Sequence, residues 1–289
     1  MKKTPTIDIC IIMLRYIVEV SQMRTITKVS KQKKSGHRYN IYLDGSFAFG
    51  VDEDVLIKNN LHKGLTLSEE DIAKLMDEEL LQSAYLLAIR YLSYRIRTKK
   101  EIELYLQKKE IEAFIIEQTV RKLVNEKLIN DAQFAQSFVR DRMNQTSKGP
   151  QIIKKELIEK GINVKLATEA ITEYSYEKQL DKTSKWVNRE LKKSSKHSFQ
   201  RRLNNVRFKL MQKGFGQDVI NDTMQNIDTE IVESDERNAL HFQAEKLYRR
   251  YSKKHTGFEL RTKLKTGLYQ RGFSSNLINE YMDKLEEKM

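Results

Sequence analysis

Few residue types in this chain are spaced for chemistry, and the exceptions are cations. The five histidines, His37, His62, His197, His241 and His255, stand singly, without metal-ligand spacing. His197 and His255, in basic loops, are expected to be plain solvated residues. Cys10 is the sole cysteine, which removes any internal disulfide or thiolate zinc cage and suggests a reducing cytoplasm. No glycine-rich phosphate loop, His-Glu-x-x-His or nucleophile elbow occurs. The acidic runs Asp52-Glu53-Asp54, Glu69-Glu70-Asp71 and Asp77-Glu78-Glu79 are expected at helix starts, where carboxylates complement the helix dipole. The chain therefore reads as a non-enzyme with no cofactor and no metal.

The cations have a pattern. Residues 1–79 hold twelve Lys/Arg and twelve Asp/Glu, so the whole net charge of +13 falls on 80–289. Residues 182–213 carry eleven basic residues against Glu190 alone, and 246–271 carry nine against Glu259 alone. A single such block is usually a solvated helix face. Two at matching places in a repeat point to a polyanion or an acidic protein surface. The candidate contacts, taken from charge placement, are Arg201, Arg202, Arg207, Lys209, Arg249, Arg250, Lys253, Lys254, Arg261, Lys263 and Lys265. Tyr94, Tyr105, Tyr248, Tyr251 and Tyr269 have the chemistry to stack on bases. Their helical spacing favours core positions with the hydroxyl at the rim.

What must position these cations is a repeat. LMQKGFGQDVINDTM (210–224) and LYQRGFSSNLINEYM (268–282) are seven-fifteenths identical, and LIEKGINVKLATEAI (157–171) and LQKKEIEAFIIEQTV (106–120) are worn versions. Ile111, Ile162, Phe215 and Phe273 serve as anchors, each with a leucine five residues before it: Leu106, Leu157, Leu210, Leu268. Apolar residues recur four, nine and twelve positions after each anchor, a helical stripe. Gly161, Gly214 and Gly272 suit the left-handed residue that ends a helix. Thr98-x-x-Glu101 and Thr256-x-x-Glu259 have the capping-box pattern, and Gly149-Pro150 sets proline at a helix start. A third helix precedes each pair, through Ala84, Leu87, Ala88, Tyr91 and Leu92, then Phe134, Ala135, Phe138 and Val139, then Trp186 and Val187, then Leu247, Tyr248 and Tyr251.

Three helices in about 50 residues bury little alone, so neighbouring units must share a core. The expected fold is mainly α: tandem three-helix repeats in an elongated curved array, over 80–130, 131–176, 177–229 and 230–289. A small unit at 23–79 precedes it, with a hairpin at RYNIYLDGSFAFGV (38–51) turning on Asp44-Gly45, and ITKVSKQ (26–32) as a possible third strand. Tyr39, Ile41, Leu43, Phe47, Phe49 and Val51 are expected to supply its faces. The chain then turns helical after Asp52, breaks at Gly64, and restarts from a cap at Ser68. The apolar stretch 7–20 is broken by Arg15 and Glu19 and is too short to span a membrane. Residues 1–22 are read as an extension, with Met23 as an alternative start.

The runs SYRIRTKKEIELYL (93–106), INDAQFAQSFVRDR (129–142) and KGPQIIKKELIEKGI (148–162) resemble the RecX family. The most specific piece comprises Gly149, Pro150, Ile153, Glu156, Leu157, Gly161 and Ile162, with Asp131, Phe134, Ala135, Val139 and Arg142 before it. Segment 38–58 is similar to the N-terminal extension of longer members. The resemblance covers about 24–289, is strongest over 83–175, and leaves 1–22 outside. It implies a regulator of the RecA recombinase that binds the RecA–single-stranded DNA filament; the protein is expected to be a monomer with no membrane partner. Such a protein limits filament growth, ATPase, strand exchange and coprotease activity toward LexA. A direct DNA-binding protein and a helical-repeat adaptor for an unrelated partner are the competing readings.

Overall fold

The computed structural model describes residues 23–33, 36–227 and 233–286; the apolar stretch 7–20 and Cys10 lie outside them. The chain divides into two compact units, Met1–Asn130 and Asp131–Met289.

The first unit opens with strands β1 (Arg24–Lys31), β2 (Arg38–Leu43) and β3 (Ser46–Asp52), followed by helix α1 (Glu53–Lys58) and a two-residue strand β4 (Thr66–Leu67). The antiparallel sheet runs β3-β2-β1-β4. Asp44 and Gly45 both have positive φ, 50° and 88°, as a type I′ turn requires. The Asp44 carboxylate also closes the corner, accepting from Thr25 N–H at 3.0 Å and Arg24 Nε at 3.1 Å. These contacts, the backbone hydrogen bond first, hold its pKa below the usual carboxylate range.

Three expectations change here. A register shift between Ile41 and Tyr42 places Phe47 opposite Tyr42, so Phe47 leaves the core face and is 59% exposed. Helix α1 ends at Asn59 and the chain reverses through Asn60 at φ 48°, earlier than the turn at Gly64. Asp77, Glu78 and Glu79 lie inside one long helix, α2 (Glu69–Leu92), and not at a helix start. Its true start is the Ser68–Asp71 capping box. Glu79 is nearly buried and ties the sheet to α2, pairing with Arg38 at 2.7 Å and accepting from Asp52 N–H at 2.6 Å. The core beneath the sheet joins Ile26, Ile41, Leu43 and Val51 to Val55, Ile72 and Leu75.

The remaining helices come in threes. The later part of α2 packs with α3 (Lys99–Lys108) and α4 (Ala113–Asn125). The second unit holds α5 (Asp131–Gln145), α6 (Pro150–Glu159) and α7 (Val164–Ile171), then α8 (Tyr176–Leu191), α9 (Phe199–Gln212) and α10 (Gln217–Gln225). It ends with α11 (Glu233–Tyr251), α12 (Gly257–Tyr269) and α13 (Ser275–Glu286). Within each group every helix touches the other two.

The repeated motif is built on a helix terminus. In all four copies the anchor N–H returns to the carbonyl of the leucine five residues back: Ile111 to Leu106, Ile162 to Leu157, Phe215 to Leu210, and Phe273 to Leu268, at 3.1–3.4 Å. The residue between donates to the next carbonyl, completing a Schellman motif. That residue is Gly161, Gly214 or Gly272, at φ 90°, 82° and 86°; in the first copy Glu110 adopts φ 62°. All four leucines are fully buried. Beyond the anchor, the position five residues on (Ile116, Ala167, Ile220, Ile278) is buried in every copy, whereas Leu166 and Leu277 at plus four are half-buried.

The expected continuous core holds between the second and third copies and does not extend into the fourth. Phe134, Val139, Leu157 and Tyr174 share one cluster with Val187, Leu210, Phe215 and Ile220. The fourth copy has its own, around Leu240, Leu247, Leu268, Phe273 and Met282. A polar seam joins it to the third: Ser198 Oγ donates to Arg271 O, Phe199 N–H to Glu236 at 2.6 Å, and Gln243 Nε2 to Lys196 O at 2.6 Å. At both junctions the end of one middle helix meets the start of the previous one. Gly149 N–H donates to Lys213 O at 2.6 Å and Gln151 N–H to Gly214 O at 3.1 Å. Pro150 stands at N1 of α6 as expected.

The Thr256–Glu259 capping box does not form. Glu259 instead binds His255 at 2.8 Å, and Gly257 takes φ 54° at the helix entry. Tyr248, expected in the core, is 40% exposed.

Candidate functional site

The cations expected to bind a partner sort into three groups by what each side chain touches. Arg202 is a structural residue: it is 8% exposed, and its Nη2 donates to Leu191 O and to Lys193 O at 2.9 Å. Those carbonyls end α8, so Arg202 caps one helix from another. A second group is engaged at the surface. Lys209 reaches Glu190 at 3.3 Å, Arg249 reaches Glu245 at 3.7 Å, and half-buried Arg261 reaches Asp283 at 3.7 Å. Lys265 donates to Asn279 Oδ1 at 3.0 Å. Glu190 also pairs with Lys193, whose hydrogen bond is the largest influence keeping its pKa low.

The third group is exposed and makes no ion pair among the described residues: Arg201, Arg207, Arg250, Lys253, Lys254 and Lys263. These six are the part of the expected surface still available to a polyanion. Matching the third and fourth copies by their anchors pairs Arg207 with Lys265 and Asn205 with Lys263. Arg202 falls opposite Leu260, a packing position. The basic character is thus shared between copies while the individual positions are not.

More aromatic rings are exposed than the spacing suggested. Tyr105 lies flat on Tyr91, with centroids 3.9 Å apart, and Tyr251 packs on the fourth core, both as expected. Tyr94 and Tyr269 are 78% and 66% exposed, which overturns their core reading. Tyr94 sits in the turn after α2, and Tyr269 on the outer face at the end of α12. Sequence reasoning missed Phe258, 85% exposed beside Gly257, and Phe208, 59% exposed. Phe208 was findable, since Arg201, Asn205, Phe208 and Gln212 follow i, i+4, i+7, i+11 on the face opposite Val206 and Leu210. Exposed apolar rings among unpaired cations suit a partner presenting both phosphate and bases, or an acidic protein surface with apolar pockets.

The residues of the KGP-x-x-I-x-x-EL run do another job. Glu156 accepts from Arg142 Nε at 2.9 Å and pairs with Lys148, pinning the α5–α6 loop. Burial pushes the Glu156 pKa up, but these two cations outweigh it and the net direction is down. Among the described residues no three His, Cys, Asp or Glu converge as a metal site. His255 is half-buried against Glu259 and Tyr251, not freely solvated. No helix among the described residues is long and apolar enough to cross a membrane.

Comparison with known proteins gives a consistent answer. Family models match in chain order: "Regulatory protein RecX N-terminal domain" at 24–68, the first RecX three-helix domain at 84–123, the second at 130–171 and the third at 235–282. The third model therefore lies on the fourth copy found here. The chain is 43% identical over 267 residues to the regulatory protein RecX of Oceanobacillus iheyensis, covering 91% of this chain and 98% of the relative. It is 38% identical over 270 residues to that of Bacillus cytotoxicus, covering 92% and 100%. A crystal structure of a regulatory protein RecX superposes with TM-score 0.64 at 34% identity, over 70% of this chain and all of that one.

Proposed function

Because the chain belongs to the RecX family of regulatory proteins, we propose that it restrains the RecA recombinase by binding the RecA–single-stranded DNA filament. The observation that carries the contact surface is the set of six exposed cations that make no ion pair among the described residues, on the third and fourth copies, interleaved in sequence with Phe208, Phe258 and Tyr269. A nucleoprotein filament offers this surface both phosphates and acidic protein groups, repeated along its length. Occupying them limits filament growth, and with it ATPase, strand exchange and LexA coprotease activity. The protein acts as a bound monomer and needs no cofactor, because the effect is on assembly and not on a covalent step.

Direct binding to bare DNA is the second reading, and the exposed rings favour it. Salt separates the two. Each phosphate neutralised on a single strand adds roughly 0.7 to the slope of log affinity against log salt, so bare-DNA binding fades first. Filament binding that includes protein contacts persists at salt that abolishes bare-DNA binding. Identical salt slopes for filament and bare strand would overturn the filament reading. A folded Arg201→Ala/Arg207→Ala/Lys263→Ala variant with undiminished inhibition would remove this surface from it.

A further inference from the structure

The N-terminal unit has zero net charge over 1–79, and that total hides a strong asymmetry. Residues 24–43, which form β1, β2 and their connection, contain six Lys/Arg and no Asp or Glu; the acids follow from Asp44 onward. Arg24 and Arg38 are neutralised by Asp44 and Glu79. Lys28 and Lys33 are exposed and make no ion pair among the described residues.

The register shift that turned Phe47 outward also built a surface. One cross-strand row on the outer face reads Phe47, Tyr42, Lys28, because Tyr42 pairs with both Phe47 and Lys28. The Phe47 and Tyr42 rings meet edge to face at 5.9 Å, and Lys28 Nζ stands 5.2 Å from the Tyr42 ring centre. The next row is Gly50, Asn40, Ser30, two residues along β1 and β2 and three along β3, where the register shifts, and so about 7 Å away. It is polar: the Gln32 side chain lies across Gly50, its Nε2 2.9 Å from where a Cβ on that glycine would stand. Gln32 Nε2 in turn donates to Asn40 Oδ1 at 2.8 Å.

We infer that this sheet face is a second binding site, for single-stranded nucleic acid, with a base stacked on the Phe47 ring beside Tyr42, its neighbour over the Gln32–Asn40 amide layer that covers Gly50, and phosphates toward Lys28 and Lys33. The chemistry selects this ligand. An aromatic face is electron-rich and attracts no carboxylate, which disfavours an acidic peptide. One exposed phenylalanine is too little apolar area to hold a bilayer. A duplex keeps its base faces stacked and offers Phe47 nothing, whereas an unpaired base has a free face. The inference stands apart from the filament reading, since it concerns bare nucleic acid and a different unit of the chain.

The test uses the full chain, fluorescein-labelled oligothymidylate and no RecA. Phe47→Leu keeps apolar volume on the sheet but removes the ring. It is expected to weaken single-strand binding about tenfold, with unchanged thermal unfolding and unchanged duplex binding. Lys28→Gln is expected to lower the single-strand salt slope by about 0.7. Ultraviolet cross-links should map to the peptide carrying Tyr42 and Phe47. Unchanged affinity in Phe47→Leu, with cross-links confined to 177–289, would overturn the proposal. An equal loss of polyglutamate binding in Phe47→Leu would also overturn it, by reducing the site to a patch of charge.

Discussion

Gly149→Ala is the sharpest probe of how the second and third copies are held together. The Gly149 backbone lies directly on the backbone of Gly214: an added Cβ would fall 2.5 Å from Gly214 C and O and 2.6 Å from Phe215 N. None of these atoms belongs to a flexible side chain, so the two copies must move apart. Forced overpacking of this kind costs about 1–3 kcal/mol. Separation also loosens the Gly149 N–H to Lys213 O bond, a further ~1 kcal/mol. A total near 2–4 kcal/mol in a unit of this size lowers Tm by roughly 4–16 °C. Gly216→Ala is the matched control, because nothing lies within 4 Å of its Cβ and its φ is −70°. It should shift Tm by no more than about 2 °C. Thermal unfolding followed at 222 nm compares the two, and hydrogen exchange should quicken in 131–227 while the sheet of the first unit stays protected. Equal melting of Gly149→Ala and wild type would refute the docking of α9 onto the start of α6.

Other outcomes follow from the same geometry. Glu110 occupies the left-handed position that the other three copies fill with glycine, so Glu110→Gly should raise stability by roughly 1 kcal/mol; an unchanged or lower Tm would mean the strain is absent. Arg202→Ala strips the buried cap from Leu191 and Lys193 and should lower Tm, while Arg201→Ala/Arg207→Ala should leave Tm alone and weaken RecA inhibition. The reverse pattern would exchange their roles. Glu236 has its pKa raised, chiefly by desolvation, against the opposing Phe199 N–H bond and the charge of Arg202. A raised folded pKa means its stabilising contribution is full below the unfolded value and is lost as pH rises through the folded one. Glu236→Gln, which keeps an acceptor for Phe199, should therefore melt higher than wild type at neutral pH, with the gap closing below about pH 4. A gap that widens on acidification would contradict the assignment.

The repeat was legible because its signal is backbone geometry. A left-handed residue must follow the buried leucine and precede the apolar anchor, and only a few residue types satisfy that order. The hairpin was legible for the same reason, through Asp44-Gly45. What escaped depends on contacts between distant residues. The shift that expels Phe47 is set by pairing across three strands, and spacing along one strand cannot show it. The failed capping box at Thr256 turns on His255 taking Glu259. Arg202 looks like its neighbour Arg201 in sequence, yet one is sealed over helix carbonyls and the other stands in solvent. Charge placement picks out basic helices and cannot rank the cations on them, because exposure is decided by which helix lies alongside. The motif that carried the family resemblance is scaffold: Gly149 and Glu156 hold the loop between α5 and α6 and the copy junction.

The most direct measurement is the single-stranded-DNA-dependent ATPase of the cognate RecA, titrated with this protein beside bare-strand binding at the same salt. The account predicts that ATPase falls at protein concentrations far below those that saturate the bare strand. ATPase that declines only as the DNA itself becomes coated, or that does not decline, would contradict it.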